Sequence, residues 1–559
     1  MKKTFALLLL LSLSLSLFSC AEKTPEETDG PPDSESADPG IPAELVLASG
    51  GESDYVILYS AREEYGRSNA TRLYREIREK IGVIIDMKED AELPEKEETG
   101  GQKVILVGRT DREESTALRK TLKAGEFIIK AEGNALYLVG RNEEMTAAAV
   151  RYFTSRLVEP VKGELKIAGG LEVNSRDVIS SPVEWSGSAV SFSNGGYARM
   201  IGLADGSAVV AYGSGSRIYI KKSADGKTWD KEIAVTQPFK SPDGKALSCA
   251  NANVYELKDG TLMAAYRVHT PSADHYASFY SSIRFSLSKD GGLTWGEPKI
   301  VAENTYPGDK FSGFWEPHMI YLPSGKLAVY YASDCVGGTA KGYPFVSSMT
   351  YQNIIGHLYD EATETFGEPF VASDGKKHNS RDGMPVLTTL SDGTMAMVIE
   401  SSHERSTYSF VIRILFSEDG IVWSDPQTIY SPTITKHYAG APYIITLPDG
   451  RIAVSCQATQ YSGTTAAETN VNNSIMNVIV SKNKVTYADR DSIGPDAFDK
   501  VPVNPFTTTD YAIWPAMTYY RGKLYCFAQG GTVSPDGKIT GSGLYMRTGT
   551  LTKQTDDKE

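Results

Sequence analysis

Between about residues 190 and 530 the chain repeats one pattern: an alternating apolar strand, an apolar residue, two polar or turn residues and a glycine, then a second alternating strand. The copies are Leu203-Ala204-Asp205-Gly206, Leu257-Lys258-Asp259-Gly260, Leu322-Pro323-Ser324-Gly325, Leu390-Ser391-Asp392-Gly393, Leu447-Pro448-Asp449-Gly450 and a degenerate Tyr519-Tyr520-Arg521-Gly522. Their glycines lie 54, 65, 68, 57 and 72 residues apart, a spacing that suits one four-stranded antiparallel sheet with its loops per repeat. Six copies predict a mainly β fold over 176–555, a six-bladed β-propeller in which each glycine supplies the positive φ of a hairpin between twisted strands.

Upstream the period changes. Leu73, Ile77 and Ile81 recur at four-residue spacing and predict a helix over 68–81, with Ser68 or Asn69 as its N-cap. Lys103 to Val107 reads as a strand, and Thr110-Asp111-Arg112-Glu113 has the form of a capping box. Phe127 to Val139 breaks at Glu132-Gly133-Asn134 into a hairpin, and Asn142 is placed to cap a helix carrying Ala149, Phe153 and Leu157 on one face. Residues 43–175 are therefore expected to form a small α/β domain. It holds no glycine-rich phosphate loop and no clustered catalytic set, so its expected role is non-catalytic. The pattern resembles the N-terminal domain that precedes the catalytic domain in some hexosaminidases and glucuronidases.

Composition agrees with many short strands: 31 Tyr, 51 Gly and 27 Pro against 41% hydrophobic residues. A formal net charge of −13 argues against a nucleic-acid surface and towards neutral or polar ligands. At the start, Lys2 and Lys3 precede an apolar run from Phe5 to Phe18 of signal-peptide length. It ends in Leu17-Phe18-Ser19-Cys20, which resembles a lipobox. Residues 1–20 are then a lipoprotein signal peptide, with the membrane reached through a lipid on Cys20 at the outer membrane or cell surface. Residues 21–42, rich in Glu, Asp, Ser and Pro, read as a flexible linker. Cys249, Cys335, Cys456 and Cys526 are scattered without a zinc pattern, so neither metal nor other cofactor is expected.

A second motif falls between the glycine turns. Ser288-Lys289-Asp290-Gly291-Gly292-Leu293-Thr294-Trp295 and the shorter Ser223–Trp229 and Ser417–Trp423 resemble the Asp-box of the sialidase superfamily. Its expected role is structural: the Asp carboxylate accepts backbone N–H bonds and the Trp packs between sheets.

If the Asp-Gly turns lie on one face, functional side chains should lie on the other, 7 to 12 residues before each turn glycine or about 7 after it. Before it stand Arg199, Asn253, Glu316, Arg381 with Asp382, Tyr438 and Tyr511; after it stand Arg267, Glu400, Gln457 and Gln529. Carboxylates, Arg, Tyr and amides lining one funnel, with Trp315 for stacking, suit the recognition of an oligosaccharide or polysaccharide.

Phe314-Trp315-Glu316-Pro317, Tyr330-Tyr331-Ala332-Ser333-Asp334, Arg381-Asp382-Gly383-Met384-Pro385, Met397-Val398-Ile399-Glu400 and Tyr266-Arg267-Val268-His269 are similar to consecutive motifs of the exo-α-1,5-L-arabinanase family, over residues 190 to 460. The resemblance implies a glycoside hydrolase with Glu316 and Glu400 as catalytic carboxylates, Tyr511 near the second, and His269 among the substrate contacts. Cys335 to Gln352 departs from the family pattern and leaves the sugar open. Glycoside chemistry asks for such a pair independently: one protonated carboxylic acid for the leaving oxygen, and a carboxylate to attack carbon or activate water. Trp315 is an apolar neighbour suited to raising the pKa of Glu316, which makes Glu316 the acid/base and Glu400 the nucleophile, although the roles are exchangeable at this level. Two other readings stay open. An exo-α-sialidase would clamp its substrate carboxylate with arginines; Tyr197-Ala198-Arg199-Met200 keeps one element of that signature, and Arg267, Arg381, Arg405 and Arg413 are available to rebuild the rest. A non-enzymatic glycan-binding propeller would lack the paired Glu.

Overall fold

The computed structural model describes residues 44–552 apart from 64–65, 94–101, 123–125, 142, 176–181, 242–243, 272–277, 308–311, 338–342, 404–409, 433–436, 460–473, 500–503, 507–508, 510 and 534–538. Cys20, Arg405 and the Asn142 cap lie outside the described residues.

Residues 44 to 174 build a six-stranded sheet in the order Asp86–Glu89, Val56–Tyr59, Val104–Val107, Ala135–Gly140, Phe127–Glu132 and Glu172–Asn174. The first four run parallel, and the fifth, Phe127–Glu132, is antiparallel to both of its neighbours. Parallel neighbours need crossovers, which the helices Gly66–Ile81 and Glu113–Thr121 supply. The first helix buries Leu73, Ile77 and Ile81 as its spacing predicts, but it begins at Gly66, so Ser68 and Asn69 are not caps. Asn69 instead donates from Nδ2 to the Glu143 carbonyl at 3.0 Å, tying this helix to the helix Glu143–Tyr152. The capping box at 110–113 is also absent. The cap position falls on Arg112 without a side-chain bond, because the Thr110 hydroxyl is engaged by Ser115 at 2.8 Å.

Downstream, six antiparallel sheets form the propeller. Leaving out the two-residue Phe239–Lys240 at the inner edge of the second, their first strands are Gly196–Gly202, Ala246–Glu256, Phe314–Tyr321, Asp382–Thr389, Ala439–Thr446 and Tyr511–Tyr520. Each packs against the next, and the last against the first, which closes a ring. All six turn glycines take positive φ, at 81°, 83°, 78°, 85°, 85° and 76°. In the first five turns the leading leucine accepts a bond from the glycine N–H and donates to the carbonyl four residues on. The sixth turn is a different device. Arg521, at φ 48°, joins Gly522 in a two-residue hairpin that pairs Tyr520 with Lys523, and two positive φ values are what that tight connection demands.

Ring closure is not visible in the repeat. Val183–Ser193, which precedes the first blade in sequence, is the outermost strand of the sixth, beside Ile539–Leu551. Joining the two ends of the propeller in one sheet ties the ring shut through backbone pairing. The Phe192 ring locks the joint edge-on against Tyr212, Trp229 and Phe527 at 6.1, 5.2 and 5.3 Å.

The Ser-x-Asp turns join third and fourth strands. Asp225 Oδ1 accepts the N–H groups of Lys227 and Thr228, Asp290 Oδ1 that of Thr294, and Asp419 Oδ1 those of Ile421 and Val422, at 2.7 to 2.9 Å. These bonds hold Asp225 below the usual carboxylate range; at Asp290 the Thr294 hydroxyl, then the Thr294 N–H, does so, and at Asp419 the backbone bonds outweigh burial, with the same result. Trp423 meets Tyr330 of the preceding blade edge-on at 6.1 Å, so these turns also staple neighbours.

Candidate active site

Every first strand carries an irregularity in its pairing at one level, between Gly196/Arg199, Ala250/Asn253, Trp315/His318, Gly383/Val386, Gly440/Tyr443 and Ile513/Ala516. Within each bulge one non-glycine residue is left-handed: Tyr197 (φ 54°), Asn251 (55°), Glu316 (42°), Met384 (51°), Ala441 (47°) and Trp514 (50°). Such backbone costs about 1–3 kcal/mol per residue and persists where the surroundings over-determine it, which is the habit of functional sites. Six repetitions at one level of the ring mark that level.

A bulge changes which face a side chain takes, and it redistributes the candidates. Glu316 is itself a bulge residue and lines a cavity of about 490 Å³ together with Trp315, Arg267, Tyr197, Asn251, Trp514, Gln529 and Ser542. Asn253, two residues beyond Asn251, does not: its Oδ1 accepts the Met319 N–H at 3.0 Å and stitches blade two to blade three. Asp382 is fully buried away from the cavity, with Oδ2 accepting the Ser373 hydroxyl at 2.7 Å. Arg199 lies beneath the Tyr197 ring, 3.8 Å from its centroid, and donates to the Ala198 carbonyl at 2.8 Å. His269 is spent on the Thr270 carbonyl at 2.8 Å, and burial and the Arg267 charge push its pKa down to about 4.

Glu400 stands on the second strand of blade four, paired with Gly383. Its Oε2 accepts the Ala441 N–H at 2.8 Å and the Tyr438 hydroxyl at 3.2 Å. The first donor is available because Ala441 is left-handed. Gln457 extends the chain: its Nε2 donates to the Tyr438 oxygen at 3.4 Å and its Oε1 accepts the Trp514 N–H at 2.6 Å. Tyr438 and Gln457 thus stand behind a carboxylate rather than on the cavity wall. Tyr511 is not the tyrosine on Glu400; its hydroxyl donates to Ser542 at 3.0 Å.

The two carboxyls are held unequally. Burial, then the negative charge of Glu400, pushes Glu316 up to about 8, against the pull of Arg267. Among the described residues none donates a hydrogen bond to it. Burial also raises Glu400, but the Ala441 N–H, the Tyr438 hydroxyl and the Arg381 charge draw it back. One site therefore holds a carboxyl pushed strongly towards keeping its proton and another in which burial is opposed by two donors and a positive charge.

Around Glu316 the packing is cation on aromatic. The Arg267 guanidinium lies 3.8 Å from the Trp315 ring centroid, and burial brings its pKa down to about 10. Trp315 is fixed in turn by Asp334, which accepts its indole N–H at 3.1 Å, the Gly313 N–H at 2.7 Å and Arg381 Nη2 at 3.0 Å. One face of Trp315 is thereby occupied by Arg267. Sequence reasoning missed Asn251, Trp514 and the Ala441 N–H, since no residue type in these six strands announces a left-handed bulge. Among the described residues no group of three or more His, Cys, Asp or Glu is placed to hold a metal ion.

No protein-family model matches the chain, and no curated protein matches it. Solved structures do. An α-L-arabinanase from Penicillium chrysogenum in complex with arabinobiose is 18% identical, with 66% of this chain and 98% of that one covered and a TM-score of 0.46. An α-L-arabinofuranosidase from Fusarium graminearum in complex with an iminosugar inhibitor is 17% identical over 66% and 98%, with a TM-score of 0.46. A sialidase from Streptococcus pneumoniae is 13% identical over 70% and 75%, with a TM-score of 0.43. The likeness is one of fold.

Proposed function

We propose that the protein is an exported lipoprotein glycoside hydrolase that cuts neutral glycans from the chain end with retention of configuration. The observation that supports it is the unequal pair: Glu316, without a donor among the described residues and pushed up to about 8, and Glu400, its Oε2 held by two donors at 2.8 and 3.2 Å. In this reading Glu400 attacks the anomeric carbon while Glu316 protonates the departing oxygen; Glu316 then takes a proton from the water that releases the sugar. Both steps need a carboxyl that keeps its proton near neutrality beside one that does not. The resemblance of the motifs around both residues to exo-arabinanases makes arabinan the first substrate to try. The α/β domain serves as a spacer, and Cys20 carries the lipid; among the described residues no helix is long and apolar enough to cross a membrane.

A sialidase needs several arginines aimed at one carboxylate. Arg381 is bonded to Asp334, Arg199 lies under Tyr197, Arg413 donates to the Pro426 carbonyl, and Arg267 is the one arginine on the cavity wall among the described residues. That distribution favours an uncharged sugar. The test is hydrolysis by the purified protein of arabinan, sialosides and other glycosides, with the first-formed anomer read by NMR. Release of short products of unchanged anomeric configuration from a neutral glycan is expected. Hydrolysis of sialosides alone overturns the substrate class, and no hydrolysis of any glycoside leaves a binding propeller as the better reading.

A further inference from the structure

The cavity lies to one side of the two carboxylates. Its walls come from blades one, two, three and six and include Glu316, whereas Glu400 stands on blade four with its Oε2 directed to Ala441 and Tyr438. In a displacement at the anomeric carbon the acid attends the leaving oxygen and the nucleophile the ring being transferred. Space beside the acid is space for the leaving group. Resting on the hydrolase reading of this pair, we infer that the cavity is a leaving-group subsite for a further neutral sugar, with Trp514 as its platform.

Of the described tryptophans Trp514 alone is exposed, at 36%, and it stands in left-handed backbone at φ 50° on the cavity wall. A tryptophan packed for stability would be buried; one displayed at a conformational cost offers its face to a ligand. Its backbone is keyed to the chemistry, because its main-chain N–H donates to Gln457, Gln457 donates to Tyr438, and Tyr438 donates to Glu400. Blade two supplies the polar partners. Asn251 Oδ1 and Arg267 Nε are buried without a hydrogen-bond partner, and both residues line the cavity. An unmet acceptor and an unmet donor on one wall are what the hydroxyls of a sugar satisfy. The charge of Arg267 is answered by the Asp334 carboxylate, so the occupant need not be anionic.

The consequence is a preference for sugar–sugar bonds over small leaving groups, and it is tested at Trp514. Glycine accepts φ 50° without strain, so Trp514→Gly removes the platform while relaxing the backbone, and Trp514→Phe keeps an aromatic face. The measurement is kcat/KM on a linear neutral oligosaccharide and on the glycosyl fluoride of the same glycone, whose leaving group fills no subsite. Trp514→Gly is expected to lose at least tenfold more on the oligosaccharide than on the fluoride, and Trp514→Phe to recover most of that difference. Equal losses on both substrates would place Trp514 under the glycone, and no loss on either would remove it from recognition; each overturns the inference. A wild-type protein inert towards both substrates would instead sink the hydrolase reading itself.

Discussion

Glu316→Gln and Glu400→Gln are expected to lower turnover by about 10²–10⁴-fold or more while leaving the propeller folded, since each keeps the shape of the side chain and removes its charge or proton. Azide separates the roles. With Glu400→Ala it should restore activity and give a glycosyl azide of inverted configuration, because the small anion attacks from the vacated side. With Glu316→Ala it should give the retained azide. The reverse pattern would exchange the assignments, and full activity in both Gln variants would end the hydrolase reading. The pH profile carries the same logic. Activity should fall as pH rises through about 8, where Glu316 loses its proton, and fall on the acid side as Glu400, raised above its usual range, becomes protonated. Stability has a matching sign. Glu316 keeps its proton in the folded protein up to about pH 8 but ionises in the unfolded chain near the ordinary 4.5, so its contribution is fully present below that value and declines as pH rises through the interval. Glutamine has no such term. Melting temperatures of wild type and Glu316→Gln, compared at pH 4.5 and pH 8, should therefore shift in favour of the variant at the higher pH; parallel curves would contradict the raised pKa.

Gly440→Ala should nearly abolish activity although it adds one methyl group. A Cβ at this position would fall on the Tyr438 hydroxyl and stand 2.5 Å from Glu400 Oε2, well inside van der Waals contact. Tyr438 is 6% exposed and Glu400 is held by two donors, so neither has a free direction to yield. Displacing the pair removes a pre-aimed hydrogen bond from the carboxylate, an effect on the order of 10²–10³ in kcat. Gly393→Ala is the contrast. Its added methyl meets nothing within 4 Å, but its φ of +85° penalises any side chain, so it should cost about 1–2 kcal/mol of stability with activity intact. If Gly440→Ala keeps wild-type kcat, the Tyr438–Glu400 contact has no part in turnover.

The blade count was legible from the chain because a tight turn is a local event. The five Leu-x-x-Gly turns share one hydrogen-bond pattern, and a glycine at φ near 80° leaves its mark in sequence whatever surrounds it. That Glu316 and Glu400 stand near one another follows from a related reason, since strand register counted from those turns brings the strand ends to one face. What the count could not carry was the bulge. Tyr197, Asn251, Glu316, Met384, Ala441 and Trp514 are left-handed without being glycine, so nothing in their identity records it; a count of seven back from the turn glycine stops at Arg199 and Asn253, on the near side of the bulge, whereas Tyr197, Asn251 and, three residues after Tyr511, Trp514 line the cavity. Arg199 stands at the same register position as Asn253 and lies beneath the Tyr197 ring. The closing strand Val183–Ser193 and the bonds from Tyr438 and Ala441 to Glu400 join residues far apart in sequence, and their energies come from packing across blades. Local backbone preference thus determined the number of blades and the face of the site, while the non-local contacts that hold a strained backbone in place decided which side chains meet there.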